Sequence, residues 1–207
     1  MNEVTLKMLT EYLERFGWSR YQAVEEPFEK EGIIYTGWSS GPDAPSYRMT
    51  IDPMVEKACL AFRTPQIVVA PMDSTLPDRL RDLLLAIGFI NYRIILGKFA
   101  YDPRDGEIRF SVDVPIDENT FTYKQFVHTM EVVIKSVEEY APKLREIHQG
   151  ALSFQAFMQG EIQREVGALL GAGGGELLSL LEALRRALEE DESDGESRRR
   201  KDAPDEI

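Results

Sequence analysis

The side chains best suited to proton transfer, metal binding or nucleophilic attack are two histidines and one cysteine, and their placing favours none of these. His128 and His148 stand twenty positions apart. On one continuous helix that is ~30 Å, too far to share an ion. His128 also falls about two residues off the apolar stripe of its helix, which predicts that it faces solvent. Cys59 sits in the strand-like run Lys57-Ala58-Cys59-Leu60-Ala61-Phe62 and reads as a small buried hydrophobe. As the single cysteine it has no disulfide partner within the chain. Neither HExxH nor CxxC occurs, so no catalytic residue, no metal site and no cofactor is expected.

Other groupings lack one part of the chemistry they suggest. Gly171-Ala172-Gly173-Gly174-Gly175 has the glycines of a phosphate loop, but such a loop needs Lys and then Ser or Thr next. Glu176 puts a carboxylate there instead, and a flexible linker is the better reading. Asp102, Asp105 and Glu107 offer oxygens to calcium, yet Arg104 and Gly106 fill positions where an EF-hand loop needs oxygen ligands. A hairpin turn accounts for them without an ion. Arg198–Lys201 is basic but surrounded by acids, as in a solvated tail. An enzyme would have to draw on Asp52, Arg63, Asn91 and Asp113, on or beside expected strands, and bring them together in a cleft.

The net charge is −12 over 207 residues, and Glu189–Ile207 hold nine acids and four bases, so the remainder is acidic too. Phosphate backbones repel such a surface, which argues against nucleic acid and anionic membrane as partners. The longest apolar run, Leu83–Ile90, is far too short to span a bilayer, and no basic-then-apolar signal opens the sequence. The expected compartment is the reducing cytoplasm.

These residues must be placed by the elements around them. Leu6, Leu9, Leu13 and Phe16 recur at helical spacing, with Gly17 placed to end the helix and Trp18 to pack back on Leu13. Three or four strands follow, near 22–28, 32–40, 46–52 and 55–63. A second helix starts near Ser74-Thr75, with Pro77 and Asp78 in its first turn and a stripe of Leu80, Leu83, Leu84 and Ile87. Asn91 stands where that helix should end, in a left-handed cap or bonding nearby backbone, so Asn91→Gly is expected to be nearly neutral. Asp105-Gly106 then turns a hairpin whose second strand alternates Ile108, Phe110, Val112 and Val114 with polar residues. Thr122 and Gln125 fit a capping box, and Phe121 and Phe126 a hydrophobic staple. That third helix should lay Phe126, Met130, Val133, Val137 and Tyr140 on the sheet until Pro142 kinks or ends it. The fold class is α+β: an antiparallel sheet with helices packed on it, order α-β-β-β-α-β-β-α, plus a C-terminal helical extension.

From Leu6 to Pro142 the chain resembles the YbjN and type III secretion chaperone-like domains. The resemblance rests on Ile90-Asn91, Gly97-Lys98-Phe99, Asp105-Gly106, Val114-Pro115 and the opening of the third helix. It implies a non-enzymatic protein, and for the secretion chaperones a small, acidic, cytosolic homodimer that wraps an extended client segment around its sheet and helices. The glycine-broken extension after Pro142 departs from a minimal chaperone.

The function expected is therefore a chaperone-like or regulatory module that binds a protein or peptide client, with no enzyme activity. Candidate groove residues are Ile33, Tyr35, Trp38 and Tyr47, which would supply aromatic contact area. Leu177, Leu181, Leu184 and Leu188 form a second candidate surface, a short apolar stripe that must dock on its own domain, on a second copy or on a partner. The organisation expected is a domain at 1–142, a helical extension at 143–170, a glycine linker and amphipathic helix at 171–190, and a disordered charged tail at 191–207. An adaptor that recruits an assembly through its C-terminal helix is the alternative function, and an unrecognised enzyme a further one.

Overall fold

The computed structural model describes residues 4–24, 32–54, 57–116 and 121–168. In chain order they form α1 (Leu6–Arg15), β1 (Tyr21–Val24), β2 (Ile33–Ser39), β3 (Ser46–Met54), β4 (Cys59–Val69), α2 (Pro77–Arg93), β5 (Lys98–Tyr101), β6 (Glu107–Pro115) and α3 (Tyr123–Gln149). Residues 154–168 form a further helix, α4. The chain divides into two compact units, Met1–Met158 and Gln159–Ile207. Leu177, Leu181, Leu184 and Leu188, the glycine linker and the charged tail lie outside the described residues.

The sheet is antiparallel throughout, in the order β1-β2-β3-β4-β6-β5. Four strands stand before α2 where three or four were expected. Strand register puts Ile34, Ile51, Phe62 and Val112 in one row, all fully buried. Alternation sends these side chains to the face that carries the helices. There Phe62 meets Phe126 of α3 at 6.2 Å between ring centroids, and Phe99 meets Tyr140 at 6.1 Å.

Local signals account for the helix ends. Gly17, at φ +83, closes α1: its amide bonds to the Glu14 carbonyl, and that of Trp18 to the Leu13 carbonyl, while the Trp18 ring packs near Phe16, 6.0 Å between centroids. The capping box at Thr122 and Gln125 is complete, and the Phe121 and Phe126 rings of the staple stand 6.5 Å apart. Gly106, at φ +78, carries the hairpin, and a Cβ there would lie 2.3 Å from the Pro71 nitrogen. Only glycine fits both demands.

The structure departs from local expectation at four places. Helix α3 runs through Pro142 to Gln149 and ends at Gly150 in the left-handed region. An interior proline costs ~3 kcal/mol, which the burial of Ala141, Leu144 and Ile147 around it offsets. Gly160 and Gly167 do not interrupt α4, which spans both. In α2 the buried residues are Leu83, Ala86, Ile87 and Ile90, whereas Leu84 is exposed and Leu80 only half-buried, so the helix is rotated from the expected stripe. Asn91 lies inside α2, which ends at Arg93, and no left-handed cap is formed.

Candidate functional site

The four groove candidates divide between the two faces of the sheet. Trp38 and Tyr47 pair in register and face the helices, with ring centroids 5.2 Å apart. Trp38 Nε1 donates to Glu138 Oε1 on α3 at 3.0 Å, and the Arg145 guanidinium lies 5.1 Å over the Tyr47 ring. Ile33 and Tyr35 point to the opposite face, where Tyr35 is 46% exposed beside Thr50 and Gln22. The four therefore do not line one groove.

The ends of the sheet differ in a way that matters more. On the β5 side, Asn91 reaches from α2 to Phe99: its Nδ2 donates to the Phe99 carbonyl at 2.8 Å, and its Oδ1 accepts the Phe99 amide at 2.8 Å. That is the bonding a neighbouring strand would supply, so this edge is occupied by a side chain. On the other side, β1 has no strand beyond it among the described residues. It is also short. Tyr21–Val24 covers Ile33–Thr36 of β2 and leaves residues 37–39 without a strand partner on that side among the described residues.

A cavity of about 260 Å3 opens in this gap, walled by residues 17–20 of the α1–β1 connection and 37–39 of β2. Trp18 and Trp38 both line it, their rings in contact as a T-shaped pair with centroids 6.4 Å apart. Trp18 is fixed by its Nε1, which donates to Thr36 Oγ1 at 2.6 Å, and that hydroxyl in turn donates to the Arg20 carbonyl at 2.6 Å. Gly37 lines it as well, and a Cβ there would meet the Tyr47 carbonyl oxygen of β3 at 2.4 Å, so only glycine fits. Trp38 thus joins a site that no sequence pattern assembles: at Trp18 the sequence predicts packing alone, and at Arg20 nothing. Their participation follows from β1 being shorter than β2, which no local pattern encodes.

Three of the four residues available to an enzyme do meet. Asp52, Arg63 and Asp113 share the sheet face away from the helices, where Arg63 Nη1 lies 3.0 Å from Asp52 Oδ2 and Arg63 Nη2 3.9 Å from Asp113 Oδ1. Lys98 extends the row to β5, 3.6 Å from Asp113. Asp52 Oδ1 is buried with no partner among the described residues. Burial pushes the neighbouring Cys59 thiol up, and the Asp113 carboxylate adds to this, which disfavours the thiolate a nucleophile would need. Asn91 is absent from this group because it serves the β5 edge. The cavities of about 450, 260 and 200 Å3 are lined by other residues. Among the described residues no group of three or more His, Cys, Asp or Glu is placed to hold a metal ion, and no helix is long and apolar enough to cross a membrane.

Comparison with known proteins gives a family for most of the chain. The model of the YbjN family, "Putative bacterial sensory transduction regulator", matches residues 5–146. Among solved structures, a chain of the "Crystal Structure of the ExsC-ExsE Complex" is 16% identical with a TM-score of 0.43, over 68% of this chain and 97% of that one. No curated protein matches the sequence.

Proposed function

The chain belongs to the YbjN family, and on that premise we propose that it is a non-enzymatic, cytoplasmic protein-binding module that takes an extended client segment at the β1 side of its sheet. The observation that carries this reading is the unequal treatment of the two sheet edges: Asn91 occupies one, and the other stands beside an aromatic cavity. A client strand can supply main-chain partners to β1 and to residues 37–39 of β2. One of its apolar side chains would enter the cavity against the Trp18–Trp38 pair, giving the anchor that backbone pairing lacks. The ExsC-ExsE complex is by its name an assembly of two different proteins, which is the kind of arrangement proposed here.

A client isolated from native cytosol, then mixed with the full chain, should slow amide exchange at residues 21–24 and 37–39. Trp18→Ala should weaken its binding about tenfold or more without lowering the melting temperature by a comparable amount. Protection confined to the β5 side, or recovery of no protein at micromolar affinity, overturns the proposal.

The module acts as a homodimer in this reading. Helix α2 is apolar on both sides: opposite its buried face, Leu84, Leu85 and Tyr92 surround Gly88, and Ile95 follows just past the helix end. Tyr92 is 92% and Ile95 103% exposed, and nothing stands within 4 Å of a Cβ built at Gly88. A glycine in the middle of an apolar stripe lets a second helix approach closely.

A further inference from the structure

The gap beside residues 37–39 of β2 is closed at one end. Along the line of β1 the first paired residue is Tyr21, opposite Thr36. Before it the chain passes through Trp18, Ser19 and Arg20, which line the cavity together with residues 37–39. That corner is held in place: Trp18 Nε1 donates to Thr36 Oγ1, and the hydroxyl donates to the Arg20 carbonyl, both at 2.6 Å. A segment pairing with residues 37–39 would therefore meet Arg20 head-on. It could not continue along β2, because Tyr21–Val24 already holds that line.

Strand direction says which end of the segment arrives there. Every pair in this sheet is antiparallel. On the line of β1, an antiparallel segment runs from Ser39 toward Gly37, and so brings its carboxyl end to Arg20. The charge at this corner suits that end. Arg20 is exposed, and among the described residues its side chain has no hydrogen-bond or ion-pair partner. The carboxylates around it serve other donors. Glu138 accepts from Trp38 Nε1 and from Ser40 Oγ, and Glu14 accepts from the Tyr21 hydroxyl at 2.9 Å. The chain as a whole carries −12, so the uncommitted charge at this cavity is opposite in sign to that of the molecule. A parallel segment would bring an ammonium to the same guanidinium, which like charge disfavours.

On the reading that the client binds beside β1, we infer that the part it places there is the carboxyl-terminal end of its chain. The terminal carboxylate lies on the Arg20 guanidinium, and the main chain runs along residues 37–39. The residue opposite Trp38 shares its face of the sheet, so an apolar side chain there packs on the Trp18–Trp38 pair. The cavity, about 260 Å3, lies below the range of about 300–1,000 Å3 usual for small-molecule clefts and suits the end of a chain.

The test titrates the full chain, labelled with 15N, with three peptides. They are N-acetyl-alanyl-valyl-leucine, its carboxamide, and an acetylated hexapeptide amide carrying the same three residues in its middle. The free acid should give saturable shifts at the amides of residues 17–20 and 37–39 and bind about fivefold or more tighter than either of the others. Arg20→Gln should remove that advantage and leave the carboxamide unaffected, and Arg20→Lys should restore part of it. The exposed Arg20 side chain holds nothing else, so both variants should fold as the parent does. If the three peptides bind alike at residues 37–39, or if the acid keeps its advantage in Arg20→Gln, the carboxyl-end inference is overturned while the client site beside β1 stands. If no peptide gives a saturable shift there, the inference is also overturned, and the exchange pattern of the isolated client decides the wider reading by itself.

Discussion

Replacing Asn91 by Ala removes both hydrogen bonds to Phe99 and leaves the amide and carbonyl of a residue that is only 2% exposed without partners. The loss should be about 2–4 kcal/mol by urea unfolding. Asn91→Gly, expected from the sequence to be nearly neutral, should be worse than Ala by ~1 kcal/mol, because it also places glycine inside a helix. A structural Asn at this position was legible; its partner was not, because Phe99 is brought there by the turn after α2. Asp102 offers a second test. The Arg104 side chain, and then its amide, hold the Asp102 carboxyl at about 2 instead of the ordinary 3.8. Because the folded value is the lower one, the stabilisation is present above pH 3.8 and is lost as pH falls toward 2. Arg104→Ala should return the carboxyl toward its ordinary value, read by 13C NMR titration, and an unmoved midpoint would show that the pair is not its cause.

At the scale of elements, what could be read depended on how local the signal was. The start of α3 was legible because Thr122, Gln125, Phe121 and Phe126 lie within six residues of one another and form the cap and the staple among themselves. Its end was not. Pro142 argues locally for a break, and the burial that carries the helix past it comes from strands far away in sequence. The rotation of α2 was ambiguous for a related reason: Leu83–Ile90 is apolar all round, so periodicity cannot say which side faces the sheet. The reach of α3 has a testable result. A chain ending after Pro142 loses Leu144, Ile147 and Phe157, all buried, and should show no cooperative thermal transition. One ending after Gly175 keeps them and should melt within a few degrees of the full chain. If the shorter chain melts as sharply as the longer, the segment beyond Pro142 is not part of the core.

At the scale of the whole molecule, the apolar outer side of α2 should set the assembly state. The double variant Tyr92→Glu with Ile95→Glu places two charges on side chains that are fully or almost fully exposed, so the fold should be unaffected. Light scattering should report a dimer for the parent chain and a monomer for the variant, with unchanged circular dichroism; a dimer that persists in the variant places the contact elsewhere. The candidate client site lies at another part of the same body, and it has a property useful to anyone who studies it. The chain contains two tryptophans, and both stand at the mouth of that cavity. Indole emission from this protein therefore originates in one place. A segment arriving against the Trp18–Trp38 pair would expel water from its exposed surface and move the emission to shorter wavelength, whereas docking on the outer side of α2 would leave the spectrum as it was. The molecule carries its own optical reporter, and occupancy can be followed in dilute solution with no label attached.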